Sequence, residues 1–128
     1  MLKMGILNPH VLSLLACVRH TNWLVIADRG FPFWPGIETI DLSLIDDVPT
    51  VSQVLAALRP SFVIAQAWMA EEFRENNAET QAWFARALAG INVTYEPHVA
   101  FKQRVPRAIG LIRTGDTVQY ANVILESG

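Results

Sequence analysis

Residues 23–27 of this chain read WLVIA, five uninterrupted apolar positions between Asn22 and Asp28. A strand with one wetted face alternates apolar and polar residues, whereas a short run that is apolar throughout needs cover on both faces. Residues 22–28 are therefore expected to form a buried strand, and the remaining segments must supply its neighbours and its cover.

Around that run the hydrophobic period switches back and forth. Asn8 and Pro9 are an N-cap and a first helical residue, and Leu12, Leu15 and Ala16 follow them at helical spacing. Residues 38–44 alternate, as in a second strand or an extended segment. Thr50 and Gln53 have capping-box spacing, and Val51, Val54, Leu55 and Leu58 line one helical face up to Pro60. Residues 61–68 return to strand character, and 69–88 are helical with a break at ENNAET. Residues 91–97 read as a strand and 98–105 as a short helix after Pro97.

Two more strands, 108–115 and 120–127, follow with a turn at Gly115-Asp116, and this last pair should be antiparallel. Strands alternating with helices predict an α/β fold: a single three-layer α/β/α domain over residues 1–128, with a mixed, mostly parallel sheet.

Composition narrows the possible partners. Apolar residues are 52% of the 128 and charged residues only 17%, leaving apolar surface that a homo-oligomer would cover. A net charge of -2 gives no basis for binding nucleic acid or an anionic membrane, and Lys102, Arg104 and Arg107 are the one basic cluster. No stretch is long enough for a membrane span. Cys17 has no second cysteine to pair with, which fits a reducing, cytoplasmic setting. LLAC at 14–17 has the look of a lipoprotein cleavage box, but Asn8, Pro9 and His10 interrupt the apolar run before it.

Common catalytic signatures are missing. The seven glycines form no G-x-G-x-x-G loop, and His10, His20 and His98 lack short metal-ligand spacing, so no metal is expected. Cys17 falls on an apolar helix face and is expected to be a buried thiol, while Glu71 and Glu72 are expected on a solvated helix face. What remains is acid-base and hydrogen-bonding material: His20, Asp28, His98, Lys102, Tyr120 and Asn122. Each also has an ordinary structural use. His20 can cap the first helix, Asp28 can hold loop amides, and Tyr120 can be a core ring. Ligands of α/β folds sit beyond the carboxyl ends of strands, where Asp28 and His98 fall. His20 precedes its strand, so it reaches such a site only if the loop after Asp28 folds back or a neighbouring subunit contributes.

In order along the chain, GILNPHV (5–11), HTNWLVIAD (20–28), IDLSL (40–44), AEEF (70–73), HVAFK (98–102) and IRTGDTVQYANVIL (112–125) resemble the D-ribose pyranase and L-fucose mutarotase family, and the ribose branch more closely. The resemblance implies a cofactor-free isomerase that opens and recloses the ring of a free monosaccharide, most simply D-ribose. It further implies a decamer-like ring of subunits with sites near the contacts. It makes His20 the proton donor and assigns sugar binding to Asp28, His98, Tyr120, Ala121 and Asn122, with Lys102 near the sugar. Arg19 stands where the family has a glycine before the histidine, and Asn22 where it commonly has an acidic residue. Arg29, Phe31, Phe33 and Trp34 make the loop after Asp28 bulkier than in the ribose branch. These departures leave two other readings open: an isomerase of another sugar, and a non-catalytic sugar-binding or regulatory subunit.

Overall fold

The computed structural model covers residues 1–128, all of them described apart from the side chain of Asn76. Six strands form one sheet: β1 (Trp23–Ala27), β2 (Glu38–Asp41), β3 (Ile64–Ala70), β4 (Asn92–Glu96), β5 (Gly110–Arg113) and β6 (Val123–Ser127). Their spatial order is β2-β5-β1-β6-β3-β4, with β6 antiparallel to β1 and β3 and the other pairings parallel. The mixed, mostly parallel sheet expected from the sequence is thus present.

β1 lies near the centre, and all five of its residues are buried. Its side chains alternate between two cores: Leu24 and Ile26 enter the larger one, and Trp23, Val25 and Ala27 the smaller. The larger core is covered by α1 (Pro9–Cys17), α2 (Val51–Leu58), α3 (Phe73–Asn76) and α4 (Ala78–Ala87). The smaller is covered by α5 (His98–Arg104), a single 3-10 turn Val105–Arg107, and the loop after β1. The result is the three-layer α/β/α domain.

Local rules set most boundaries. Asn8 Oδ1 accepts from the backbone N–H groups of His10 and Val11, with Pro9 at the first helical position. The Thr50–Gln53 capping box is made in both directions, and Val51, Val54, Leu55 and Leu58 are buried. The expected break in 69–88 occurs at Asn77, whose Oδ1 caps α4 by accepting from Thr80 N–H.

Three expectations need correction. β5 and β6 run antiparallel but are not neighbours, because β1 lies between them. The turn at Gly115-Asp116 therefore opens a crossing connection rather than a hairpin. Cys17 is exposed, since the buried stripe of α1 is Val11 and Leu14. Glu71 and Glu72 precede α3 rather than lying on a solvated helix face, and Glu72 is half-buried.

Candidate active site

The antiparallel insertion of β6 creates the site. Parallel strands leave their carboxyl ends on one side of the sheet, and an antiparallel strand brings its lead-in residues to that same side. Tyr120, Ala121 and Asn122, just before β6, therefore meet Asp28, just after β1. His98 arrives there because it follows β4 through Pro97. Asp28, Arg29, Gly30, Phe31, Pro32, His98, Asp116, Thr117, Gln119 and Tyr120 line a cleft of about 390 Å³.

Asp28 and Asn122 are joined reciprocally. Asp28 N–H donates to Asn122 Oδ1 at 2.7 Å, and Asn122 Nδ2 donates to Asp28 Oδ2 at 3.0 Å. Gly30 N–H donates to Asp28 Oδ1 at 2.9 Å. Burial raises the Asp28 carboxyl above its ordinary 3.8, against the hydrogen bonds from Asn122 and Gly30. Asn122 is buried behind the cleft, so it orients the carboxylate.

His98 stands among rings, with Tyr120 edge-on at 4.9 Å, Phe101 stacked at 6.0 Å and Phe31 edge-on at 6.1 Å between centroids. Its Nε2 is buried without a hydrogen-bond partner inside the protein. Burial, then the Lys102 charge, lowers its pKa below 6.5 and favours the neutral ring. Lys102 lies outside the cleft lining, one helical turn beyond His98. Tyr120 adopts a left-handed backbone, φ 63°, which is uncommon outside glycine and turns its ring toward His98.

The cleft also depends on residues that sequence reasoning did not select. Glu72 accepts from His98 N–H with both oxygens, at 2.9 and 3.0 Å, holding the start of α5, which has no cap of its own. Asp116 accepts from Val51 N–H and Val118 N–H, tying α2 to the cleft wall. AEEF includes Glu72 in the resemblance, but nothing local points to its partner, 26 residues away. The turn residues TGDT were a partial signal for Asp116.

His20 is not in the cleft. It is exposed in a turn before β1, so the whole strand, about 17 Å long, separates it from Asp28. The two departures beside it are coupled. Arg19 Nη1 donates to the Ala16 and Val18 carbonyls at the end of α1, and Arg19 N–H donates to Asn22 Oδ1. Arginine thus does the capping that glycine geometry would otherwise provide. His20 itself does not cap the helix, whose C-cap is Val18.

The aromatic loop divides its tasks. Phe31 is buried and lines the cleft, Phe33 is 68% exposed, and Trp34 packs with Ile37 against the smaller core. Trp34→Ala should accordingly cost about 1–3 kcal/mol, below the range for a fully buried tryptophan, without altering the sugar preference that the family resemblance implies. Phe31→Ala should alter it. Thermal melts beside exchange rates on several aldoses check both, and a changed sugar ranking in Trp34→Ala would contradict the division.

Residues 1–128 match the model of the RbsD / FucU transport protein family. A D-ribose pyranase of Chromobacterium violaceum is 42% identical over 129 residues, covering 100% of this chain and 98% of that protein. The D-ribose pyranase of Limosilactobacillus fermentum is 35% identical over 128 residues, with coverage of 100% and 98%. Bacillus subtilis RbsD complexed with D-ribose superimposes with a TM-score of 0.94 at 35% identity, covering 100% of this chain and 98% of that one. The fucose mutarotase of Streptococcus pneumoniae, solved with L-fucose, shares the fold at a TM-score of 0.80 and 20% identity, with coverage of 94% and 92%. With the match unbroken from Met1 to Gly128 and the strand order that joins Asp28 to Asn122 in place, this chain belongs to the RbsD/FucU family.

Proposed function

We propose that this protein is a D-ribose pyranase, opening and reclosing the ring of the free sugar. The observation that carries the reading is the cleft at the carboxyl end of β1, in a chain that aligns end to end with D-ribose pyranases. Ring opening moves the anomeric hydroxyl proton off its oxygen, breaks the bond from the anomeric carbon to the ring oxygen, and protonates that oxygen. Closure on the neighbouring hydroxyl exchanges pyranose for furanose. Reactant and product are isomers and the reaction proceeds slowly in water, so positioned acid-base groups suffice. Such groups contribute about 10²–10⁴-fold each.

Asp28 would hold a sugar hydroxyl with the carboxylate that Asn122 aims. Tyr120 would add directional bonds, as would the buried, unpaired Nε2 of His98 where the ring turns to the sugar, and the Phe31 ring an apolar wall. Ala121 sets the turn behind them, where its N–H donates to Val118 O at 3.3 Å. Lys102 would act through its charge on His98. His20 would be the proton donor, supplied to each cleft by a neighbouring subunit of a ring-shaped homo-oligomer. Exposed Leu44, Ile45 and Val48 beside the cleft offer apolar surface for such a contact. A cytoplasmic location suits the exposed, unpaired Cys17. No helix among the described residues is long and apolar enough to cross a membrane.

Saturation-transfer NMR between the ring forms of D-ribose tests the reading directly, and exchange no faster than in buffer would defeat it. The pH dependence follows from the two shifts. Burial raises Asp28 above 3.8 and lowers His98 below 6.5, so the carboxyl takes up its proton at a higher pH than a free aspartate and the imidazole at a lower pH than a free histidine. Exchange should fall as acidification protonates the two groups. The same linkage acts on stability. The contribution of neutral His98 is complete above its unfolded value and is lost as pH falls through its folded value. His98→Gln should flatten that part of the melting-temperature profile, and an unchanged profile would contradict the assignment.

A further inference from the structure

Four successive residues after Asp28, from Arg29 to Pro32, form one wall of the cleft, yet they belong to no helix or strand. Their N–H groups have partners: Arg29 N–H donates to Asp116 O and Gly30 N–H to Asp28 Oδ1. Pro32 has no N–H to give. The outward ion pair of Arg29 with Asp46 joins two exposed side chains, which binds a loop weakly.

The carbonyls of this wall converge on one group. Arg113, the last residue of β5, donates from Nη1 to Phe31 O and to Arg29 O, the latter at 3.4 Å, and from Nη2 to Pro32 O at 3.4 Å. Its side chain is only 13% exposed, and its nearest carboxylate, Asp41, lies 3.8 Å from Nε. The guanidinium is thus spent on loop carbonyls. Its donors lie in one plane on a strand end fixed by β1 and β2, a geometry that a lysine point charge cannot reproduce. What the latch holds is the Phe31 ring, edge-on to both His98 and Phe101.

We propose that Arg113 is a positioning residue of the sugar site: it latches residues 29–32 so that Phe31 stays against His98, and so governs how tightly and how selectively sugar is held without touching it. This rests on the sugar-isomerase reading. A wall held in its bound shape spares the ordering that binding would otherwise require, so loosening it weakens binding more than chemistry.

The test uses Arg113→Lys and Arg113→Gln in the full chain, with ring exchange measured by NMR against sugar concentration and amide hydrogen exchange measured by mass spectrometry. Both variants should raise KM for D-ribose about tenfold or more while kcat stays within about threefold, and should narrow the preference for D-ribose over L-fucose. Hydrogen exchange over 29–34 should accelerate about tenfold while 23–27 keeps its protection. Unchanged exchange in the loop would overturn the latch. So would loss of protection throughout β1 and β5, which marks a role in the fold alone. A freed loop with KM and sugar ranking unchanged would equally overturn it. Should the wild-type protein show no ring exchange, the sugar reading fails first. The hydrogen-exchange arm then still decides whether Arg113 holds the loop.

Discussion

Combined in one oligomer, His20→Ala and Asp28→Asn chains should recover ring exchange that neither variant has alone. Each substitution removes a different part of the proposed site, and each by itself should lower the catalysed rate by about 10²–10⁴-fold. Within one chain β1 keeps the two residues at opposite ends of the sheet. Its five residues are fully buried between β5 and β6 and cannot bend to close the gap. If the cleft takes His20 from a neighbour, co-expression of the variants builds some sites with an intact His20 from one chain and an intact Asp28 from the other. Random assembly makes these about a quarter of the total. A site built within one chain leaves every cleft with one defect, and no activity returns. Co-purification on two different tags, followed by NMR exchange on D-ribose, separates the outcomes. Persistent inactivity of the mixed oligomer would remove His20 from the shared site.

Gly115→Ala should be the most damaging single-methyl substitution, lowering stability by about 3 kcal/mol or more and melting temperature by about 10 °C. A Cβ there would lie 2.3 Å from the Ile45 carbonyl and 2.9 Å from that of Val48. These are backbone atoms, fixed because Asp47 N–H donates to Gly115 O at 2.7 Å and Gly115 N–H to Pro49 O at 2.9 Å. Relief requires the 44–49 loop to leave. Asp47 would leave with it, and its carboxylate accepts from the N–H and hydroxyl of Thr117 on the cleft wall. Activity should fall with stability. Gly110→Ala is the comparison: its Cβ would meet Leu14 Cδ1 at 2.5 Å and Cδ2 at 2.6 Å, atoms of a buried side chain rather than of the backbone. Equal melting temperatures for the two variants would show that the loop yields as readily as Leu14 does.

Much of this molecule is legible as local pattern. WLVIA reads as a strand covered on both sides, and it is one. Asn8-Pro9 and Thr50–Gln53 start helices in any context, because a capping bond spans two or three residues. Asp28, His98, Tyr120 and Asn122 stand out as polar residues flanking apolar runs, and the structure brings all four to the cleft or directly behind it. Cys17 shows where such reading weakens. α1 has several apolar residues, and which of them form the buried stripe depends on how the helix lies on the sheet.

What the sequence by itself determined was the set of elements, their order and the candidate chemistry, because capping, periodicity and turn residues act over a few positions. Tertiary structure alone decided that β1 enters between β5 and β6, since strand pairing is a choice among distant partners that no local pattern encodes. That choice sets Asn122 against Asp28 across 94 residues, directs Glu72 to His98 and Arg113 to the loop carbonyls, and leaves His20 at the far end of the sheet. Each of these is a contact between backbone or polar groups brought together by packing, and the energy that selects it comes from burying both faces of β1 at once.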